Sequence, residues 1–214
     1  MTAEGADAPR LLPPGAGYSG TALRVLECST ELFADRGFYG TSMRDIASAV
    51  GLRAASIYEH FASKDHILKA ILTIGHQLLR TELAAAVASA GDDPDAQIRA
   101  AVRTLVVQLC SWPKLSIAIN SEMRADTPTR APEAALARDE ISLILAAIIH
   151  RGMEGGLFPE RDLVVLVASI GSMCIRTPYW FQPADAYGVD DLAEDYADLT
   201  VAMLTAPLAV RPTT

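Results

Sequence analysis

The chain has 214 residues, of which 50% are hydrophobic and 21% are charged. This composition excludes an intrinsically disordered protein and allows one sizeable domain or two small ones with a buried core. The formal net charge of −8 argues against a protein that coats nucleic acid with its whole surface, but it leaves room for a local DNA-binding face. Cys28, Cys110 and Cys174 show no metal or redox spacing, so they predict buried thiols in a reducing cytoplasm.

The amino-terminal residues 1–18 are rich in Pro, Gly and Ala and lack a periodic apolar pattern, which predicts a flexible arm. They also lack the basic start and apolar run of a signal peptide. The longest apolar run, residues 163–175, is shorter than the roughly 20 residues that a membrane-spanning helix needs. We therefore expect a cytoplasmic, nucleoid-associated protein without a membrane segment.

From residue 21 onward the apolar residues recur with a helical period, which predicts an all-α fold of about nine helices without a strand. Ser42 and Asp45 form a start that resembles a capping box, and Gly51 ends the short helix that follows. Another short helix and a long fourth helix come next along the chain. Further helices are predicted at about 95–111, 113–124, 132–154, 161–180 and 189–206.

The second and third predicted helices have the outline of a helix-turn-helix, in which two short helices cross at a tight turn. Ala47 is small where the helices would cross, and Gly51 can adopt the positive φ that the turn needs. An ordinary helical hairpin fits the same pattern. The spacing of residues therefore favours a DNA-reading module without deciding for it.

The sequence from Glu31 to Leu68, ELFADRGFYGTSMRDIASAVGLRAASIYEHFASKDHIL, resembles the DNA-binding domain of TetR-family transcriptional regulators. The resemblance covers about residues 21–70, and the rest of the chain matches the family in helix number, length and order. The segment GMEGGLF and the helices after it are similar to the carboxy-terminal halves of actinobacterial lipid- and sterol-catabolism repressors. The resemblance implies an arm at 1–18, a helix-turn-helix domain at 19–66 and a larger helical ligand-binding and dimerisation domain at 67–214.

The resemblance also implies which residues contact double-stranded operator DNA. Hydroxyl and backbone N–H groups at the start of the second helix would bind phosphate, as would Lys64 at the start of the fourth. Base reading would rest on Arg53 toward guanine, on Ser56 and on apolar contact with thymine methyl groups. The expected DNA contacts are Thr41, Ser42, Arg44, Arg53, Ala54, Ala55, Ser56, Tyr58, His60 and Lys64.

The balance of positive and negative residues limits how this face can attract DNA. Residues 20–70 contain six Lys or Arg residues and six Asp or Glu residues, so the segment is not basic overall. A locally positive face requires Arg44, Arg53 and Lys64 to lie on one side, with the acidic residues elsewhere. Glu59 is unfavourable near phosphates unless it points away or accepts a hydrogen bond from cytosine.

Two apolar stripes near the carboxy terminus are either core or a dimer interface. The resemblance implies that they pair with their copies in a homodimer, which would place two reading helices about 34–36 Å apart on a near-palindromic operator. The stripe residues are Leu163, Leu166, Val167 and Ile170 in one helix, and Leu192, Tyr196, Leu199 and Met203 in the last.

The resemblance further implies a cavity for a small hydrophobic effector, an acyl-CoA, a fatty acid, or a steroid-like or drug-like molecule. Many bulky apolar residues with few polar groups favour such a ligand, although ordinary packing also explains each of them. Effector binding would weaken operator binding through the fourth helix. The predicted pocket residues are Trp112, Asn120, Met123, Ile149, Met173, Arg176, Tyr179 and Trp180.

Two other classes of function compete with this interpretation. An enzyme is disfavoured because the sequence has no Gly-rich phosphate loop, metal-ligand cluster or nucleophile elbow, so we expect no catalytic residue, metal or cofactor. An architectural or cell-division protein on the same scaffold would bind DNA without a ligand. That alternative, and the choice between repressor and activator, stay open at the level of sequence.

Overall fold

A computed structural model of the chain describes residues 11–121, 131–184 and 186–207. These residues form nine helices of five or more residues and one helix of four, and their one extended pairing is an isolated bridge between Ala184 and Tyr187. The predicted all-α class is confirmed. The helices are α1 Gly20–Arg36, α2 Met43–Val50, α3 Ala54–Tyr58, α4 Lys64–Ser89, α5 Pro94–Ser111, α6 Pro113–Ser121, α7 Pro132–Glu154, α8 Leu163–Ile175, α9 Thr177–Trp180 and α10 Val189–Thr205.

The chain divides into two compact units. The amino-terminal unit comprises Met1–Gly75 and Trp112–Ala134, and the carboxy-terminal unit comprises His76–Ser111 and Ala135–Thr214. Helix α4 contributes its first half to one unit and its second half to the other. The domain limits implied by the resemblance, with boundaries after residues 18 and 66, stay a prediction.

The amino-terminal unit is built around fully buried apolar side chains from α1 to α4. Phe33 on α1, Ile46 on α2 and Ile57 on α3 are each 0% exposed. Burial of side chains of this size stabilises a fold by roughly 1.5–3 kcal/mol each, so these residues fix how the three short helices pack. Helix α6 packs on α1 in the same unit.

The start and end of α2 follow the predicted pattern. The Ser42 backbone N–H donates to the Asp45 carboxylate over 2.7 Å, and the Asp45 N–H donates to the Ser42 hydroxyl over 3.2 Å, so the predicted capping box is confirmed. Gly51 ends the helix in the left-handed conformation, with φ 74° and ψ 32°. The predicted turn therefore exists between α2 and α3.

The core of the carboxy-terminal unit forms mainly where α5 packs against α10. Ile98 and Val102 of α5 and Ala197 of α10 are 0% exposed. Two ion pairs link the rims of the same helices: Arg99 to Asp198 and Arg103 to Glu194, each over 2.5 Å. These exposed pairs contribute little stability, so apolar burial holds the two helices together.

The segment predicted as one helix over 161–180 is divided into α8 and α9. Pro178 has no N–H and cannot donate to the Cys174 carbonyl four residues earlier, which interrupts the helical hydrogen bonds. The Thr177 hydroxyl donates to that carbonyl over 2.8 Å instead. Within the described residues, Leu163–Trp180 is long and apolar enough to span a membrane by length and composition alone, and 22% of it is buried inside the chain.

Candidate DNA-binding surface

Helix α3 is anchored by one buried residue and exposes two others. Ile57 is 0% exposed, whereas Ala55 and Tyr58 face solvent on the same five-residue helix. Ala47 of α2 is 5% exposed and is small enough to let α3 approach. The tight turn at Gly51, whose N–H donates to carbonyls of the preceding α2 turn, fixes the direction in which α3 leaves.

The exposed side chains around α2 and α3 form a surface that we call the α2–α3 face. It includes one cation at the start of α2 and one at the N-cap of α3, two aromatic rings and two small residues. Its members are Ser42, Arg44, Arg53, Ala55, Tyr58 and His60, all exposed. Two other predicted contacts, Ala54 and Ser56, are partly buried at its edge.

Arg53 occupies the N-cap position of α3, and its side chain makes no capping hydrogen bond. The N–H groups of the first turn of α3 are therefore not satisfied by this side chain. No hydrogen bond or ion pair to another described residue holds the Arg44 or Arg53 guanidinium. Both cations are free to turn toward an anionic partner.

Thr41 differs from the sequence-based expectation that its hydroxyl and N–H face a phosphate. The residue is 2% exposed, and its hydroxyl donates to the Gly37 carbonyl over 3.0 Å and lies 3.4 Å from the Leu32 carbonyl. Its backbone N–H donates to the Phe38 carbonyl over 3.3 Å. Thr41 therefore uses its polar groups inside the α1–α2 loop, and a phosphate contact there would require the loop to rearrange.

The first turn of α2 is occupied by a carboxylate of its own. The side-chain and backbone hydrogen bonds of Ser42 lower the pKa of Asp45, and the charges of Arg36 and Lys64 lower it further. The carboxylate accepts from both the Ser42 N–H and the Ser42 hydroxyl. Arg44, next to this cap, therefore carries the positive charge that α2 offers to a phosphate.

Lys64 also differs from expectation. Its Nζ donates to the Phe38 and Thr41 carbonyls, each over 2.6 Å, and lies 4.1 Å from the centroid of the Phe38 ring. The side chain therefore turns toward the α1–α2 loop and does not extend beside Arg44 and Arg53. Of the three cations that a positive face would require, Arg44 and Arg53 are exposed, whereas Lys64 is turned inward.

Three of the six cations in residues 20–70 serve contacts inside the amino-terminal unit. Arg24 donates to the Val50 carbonyl over 2.7 Å, Lys64 binds the α1–α2 loop, and Lys69 pairs with Glu133 over 3.1 Å. The α2–α3 face is consequently less positive than the number of Lys and Arg residues suggests. Its attraction for DNA rests on a few exposed guanidinium groups and on helix N-termini.

No sequence pattern singles out Tyr39, which is 66% exposed beside the start of α2. Its ring lies edge-on to the Phe38 ring at a centroid distance of 5.3 Å. An exposed tyrosine in a loop before an N-cap offers a hydroxyl that a phosphate or sugar group can contact.

Two family models match this chain. Residues 25–71 match the family described as bacterial regulatory proteins, tetR family, and residues 91–204 match the tetracyclin repressor-like C-terminal domain. The second match alone spans more than half of the 214 residues. The chain belongs to the TetR family. It is a DNA-binding transcriptional regulator, and the resemblance noted from its sequence is confirmed.

Individual relatives and solved structures are also regulators of this family. The HTH-type transcriptional repressor KstR2 of Rhodococcus jostii is 26% identical over 203 residues, which cover 92% of this chain and 99% of the relative. The structure of AibR in complex with isovaleryl coenzyme A and operator DNA is 26% identical, with a TM-score of 0.74 and coverage of 88% and 100%. The ketosteroid transcriptional regulator KstR2 of Mycobacterium tuberculosis shares the fold, with a TM-score of 0.79, 19% identity and coverage of 89% and 97%.

The stripes predicted to form the interface of this TetR-family protein lie partly in its own core. Leu166, Ile170 and Leu192 are 5%, 0% and 3% exposed and pack within the carboxy-terminal unit. The other members are partly buried, except for one that is 57% exposed. These are Leu163, Val167, Tyr196 and Met203, and the exposed Leu199.

A different side of α8 is exposed. Val164 is 77% exposed and Val165 is 59% exposed, and the small residues at 168, 169 and 172 on the same side are also exposed. Helix α8 has no charged residue and carries apolar residues on every side, so periodicity does not show which stripe the chain itself buries. We call this exposed surface, residues Val164, Val165, Ala168, Ser169 and Ser172, the outer α8 face.

The predicted ligand-pocket residues are distributed over both units. Trp112 and Asn120 belong to the amino-terminal unit, and Met123 lies outside the described residues. In the carboxy-terminal unit, Ile149 is fully buried and Met173 partly buried, whereas Arg176, Tyr179 and Trp180 are exposed.

Arg176, Tyr179 and Trp180 lie next to one another in sequence around α9. The Arg176 guanidinium lies 4.4 Å from the centroid of the Tyr179 ring, and Trp180 contacts Phe181 edge-to-face at 5.9 Å. Burial raises the pKa of Tyr179, and the nearby positive charge of Arg176 partly offsets this rise. The structure thus joins Arg176 and Tyr179 in a cation–aromatic pair, whereas Trp180 contacts Phe181.

Proposed function

We propose that this TetR-family protein is a homodimeric repressor that binds a near-palindromic operator and leaves it when a small hydrophobic effector binds. It would act in the cytoplasm, at the nucleoid. The observation that carries the DNA-binding part is the α2–α3 face, where the Arg44 and Arg53 side chains have no partner among the described residues. When these two arginines bind DNA, no ion pair with another described residue has to be broken.

Arg53 is the residue that we assign to sequence reading. It precedes the exposed end of α3, and a guanidinium can donate two hydrogen bonds to the O6 and N7 atoms of guanine. Ala55 would contact a thymine methyl group, and Ser56 would donate to a base edge. Arg44, Tyr58 and His60 would contact phosphates and set the position of α3 without reading sequence, together with the exposed Ser42.

A second copy of the chain is the occupant that we assign to the outer α8 face. Val164 is 77% exposed and Val165 is 59% exposed. The small residues beside them would allow two helices to approach closely. Leu199 on α10, which is 57% exposed, would extend the same interface. A two-fold axis through this face would present two α3 helices to the two half-sites of an operator.

The effector class is supported by the relatives. AibR binds isovaleryl coenzyme A, and the Mycobacterium tuberculosis KstR2 is named a ketosteroid regulator. In this chain, a cluster of exposed side chains around α9, the Arg176–Tyr179 pair and the neighbouring Trp180, combines a cation with aromatic surface, a combination that suits an acyl-CoA or a steroid-like acid. An architectural DNA-binding role without a ligand would need no such cluster.

Selection of bound fragments from a random DNA pool tests the proposal, with the mass of the purified protein measured in the same buffer. Enrichment of a near-palindrome together with a dimer mass is the expected result. The selected fragment is then titrated with isovaleryl coenzyme A, with free coenzyme A as the control for charge. A monomer, or a pool without enrichment, would reject the operator proposal, and a set of acyl-CoA and steroid acids that all leave the complex intact would reject the effector class.

A further inference from the structure

The Lys64 ammonium group lies where three partners meet. Two backbone carbonyls, those of Phe38 and Thr41, accept from Nζ at 2.6 Å, and the Phe38 ring centroid lies 4.1 Å away. An ammonium group has three N–H donors and no acceptor. Two donors directed at carbonyls and a third toward the negative face of a ring leave none for a phosphate oxygen.

The loop that receives Lys64, residues 37–42, is fixed by further contacts. The Thr41 hydroxyl donates to the Gly37 carbonyl over 3.0 Å, and the Phe38 ring packs edge-to-face on Phe33 at 5.4 Å. A Cβ atom at Gly40 would overlap the Arg36 carbonyl, so the loop accepts only glycine there. The backbone is thus folded closely around the ammonium group, in a way that a mobile surface lysine would not require.

The end of this loop sets the start of α2. Ser42 closes the loop and is the N-cap of α2, and Arg44 lies two residues further on the α2–α3 face. A shift of the loop therefore moves both residues together. Lys64 begins α4, so the contact ties the first turn of α4 to the start of α2 inside one unit.

We infer that Lys64 is a positioning residue that holds the α1–α2 loop and thereby places Ser42 and Arg44, and that it does not itself bind a DNA phosphate. The consequence for DNA binding rests on the proposed function, whereas the contact with the loop is intramolecular. The contact lies between residues that are 23 and 26 positions apart.

Chemical modification of the wild-type protein tests the inference directly. The chain contains three lysines, Lys64, Lys69 and Lys114, and the other two form ion pairs with single carboxylates at the surface. Limiting acetic anhydride acetylates accessible amines, and mass spectrometry of peptides reports the rate at each lysine. We expect Lys64 to react roughly tenfold more slowly than Lys69, both without DNA and with it, because its ammonium is held by three partners.

Substitution tests the consequence for DNA binding. Lys64→Met removes the ammonium, Lys64→Arg keeps the charge in a planar group that cannot reproduce the three contacts, and Lys69→Met is the control on the same helix. Each is measured for amide exchange of residues 37–42 without DNA, and for the salt dependence of binding to a selected DNA fragment. We expect both Lys64 variants to exchange roughly tenfold faster in this loop and to bind DNA more weakly, with the wild-type salt slope.

The opposite pattern would overturn the inference. If Lys64 is a phosphate ligand, it reacts as fast as Lys69 without DNA and is protected when DNA is added. Lys64→Met would then lower the salt slope by about one per protomer, and Lys64→Arg would restore it. If no DNA fragment binds even to the wild-type protein, the proposed function fails, and the acetylation and exchange results without DNA still decide whether Lys64 holds the loop.

Discussion

The Arg24 guanidinium on α1 donates to the Val50 carbonyl, the last residue of α2, over 2.7 Å. A helix leaves its last carbonyls without intrahelical partners and carries partial negative charge at that end. Arg24 supplies both a donor and a positive charge there. Together with Lys64, which binds the loop before α2, it fixes the reading module from both ends of that helix.

Arg24→Met is expected to lower the free energy of unfolding by about 1 kcal/mol, because a charge-assisted hydrogen bond to the α2 terminus is lost. Urea unfolding followed by circular dichroism measures the change. Arg44→Met is the matched control: Arg44 is exposed and has no partner among the described residues, so its removal should alter stability by less than about 0.5 kcal/mol. Equal effects of the two substitutions would show that the Val50 contact adds nothing.

Local patterns in the sequence predict the elements of the reading module well. Ser42, Asp45 and Gly51 lie within a few residues of the groups that they cap, so their roles follow from spacing alone. Arg24 and Lys64 act on carbonyls 23 to 26 residues away, and only the packed structure brings these groups together. Sequence therefore gives the positions of the cations but not which of them turn inward.

The same limit applies to α8. A helix with one apolar stripe can be oriented from its sequence, whereas α8 is apolar on every side. The stripe containing Leu166 and Ile170 is taken by the core of the chain, and Val164 and Val165 are left outside. Proline removes a helical hydrogen bond, so Pro178 alone indicates a break. The apolar pattern nevertheless continues past it, which is why it predicts a single helix over 161–180.

Arg53→Ala is expected to relax base preference at one position of each half-site, because a bidentate guanidinium contact to guanine contributes about 1–3 kcal/mol of discrimination. Fragment selection with the variant measures this as loss of the enriched guanine, while binding to unrelated DNA changes little. Arg80→Ala serves as the control, since Arg80 pairs with Glu140 in the carboxy-terminal unit. If the Arg53 variant selects the wild-type sequence unchanged, base reading lies elsewhere.

Val164→Asp is expected to convert a dimer into a monomer, because it places a charge on the outer α8 face at its most exposed valine. Val164 is 77% exposed in the single chain, so the substitution should leave the secondary structure of the monomer intact. Light scattering at several protein concentrations measures the mass. Leu143→Asp on α7 is the control, with an exposed fraction of 66%; dissociation by this variant and not by Val164→Asp would move the interface to α7.

Ionisation of the buried Cys174 thiol is expected to lower the free energy of unfolding at alkaline pH. Burial raises the pKa of its thiol from 9.0 to about 12, with a further contribution from the nearby Cys110. The stabilisation is complete below pH 9, where the thiol is protonated in both states, and it is lost as pH rises toward 12, because the unfolded chain ionises first. We expect the wild-type protein to lose roughly 1–2 kcal/mol more than Cys174→Ala between pH 9 and pH 10.5.

Thiol labelling provides the companion measurement. The native protein at pH 8 should leave Cys174 unmodified by a thiol-specific reagent, and Cys28 and Cys110 should react slowly because burial also raises the pKa of each. Denaturant should make all three thiols reactive. Rapid native labelling of Cys174, or the same pH dependence of unfolding in Cys174→Ala, would contradict the assigned burial.

Gly152 is expected to be intolerant of alanine although it lies inside α7, where alanine normally stabilises by about 0.5–1 kcal/mol. A Cβ atom at Gly152 would overlap the ring of Phe158, which is 2% exposed and cannot move away. The Gly152 carbonyl also accepts from the Leu157 and Phe158 N–H groups over 2.8 and 3.0 Å, which holds the ring against the helix. Gly152→Ala should therefore cost about 1–3 kcal/mol.

A double-mutant cycle with Phe158→Leu separates the overlap from any other effect of the new methyl group. The smaller leucine leaves room for the Cβ atom, so Gly152→Ala should cost less in the Phe158→Leu background than in the wild type, with a coupling of about 1 kcal/mol or more. Additive changes in the unfolding free energy would mean that the ring is not what excludes alanine at Gly152.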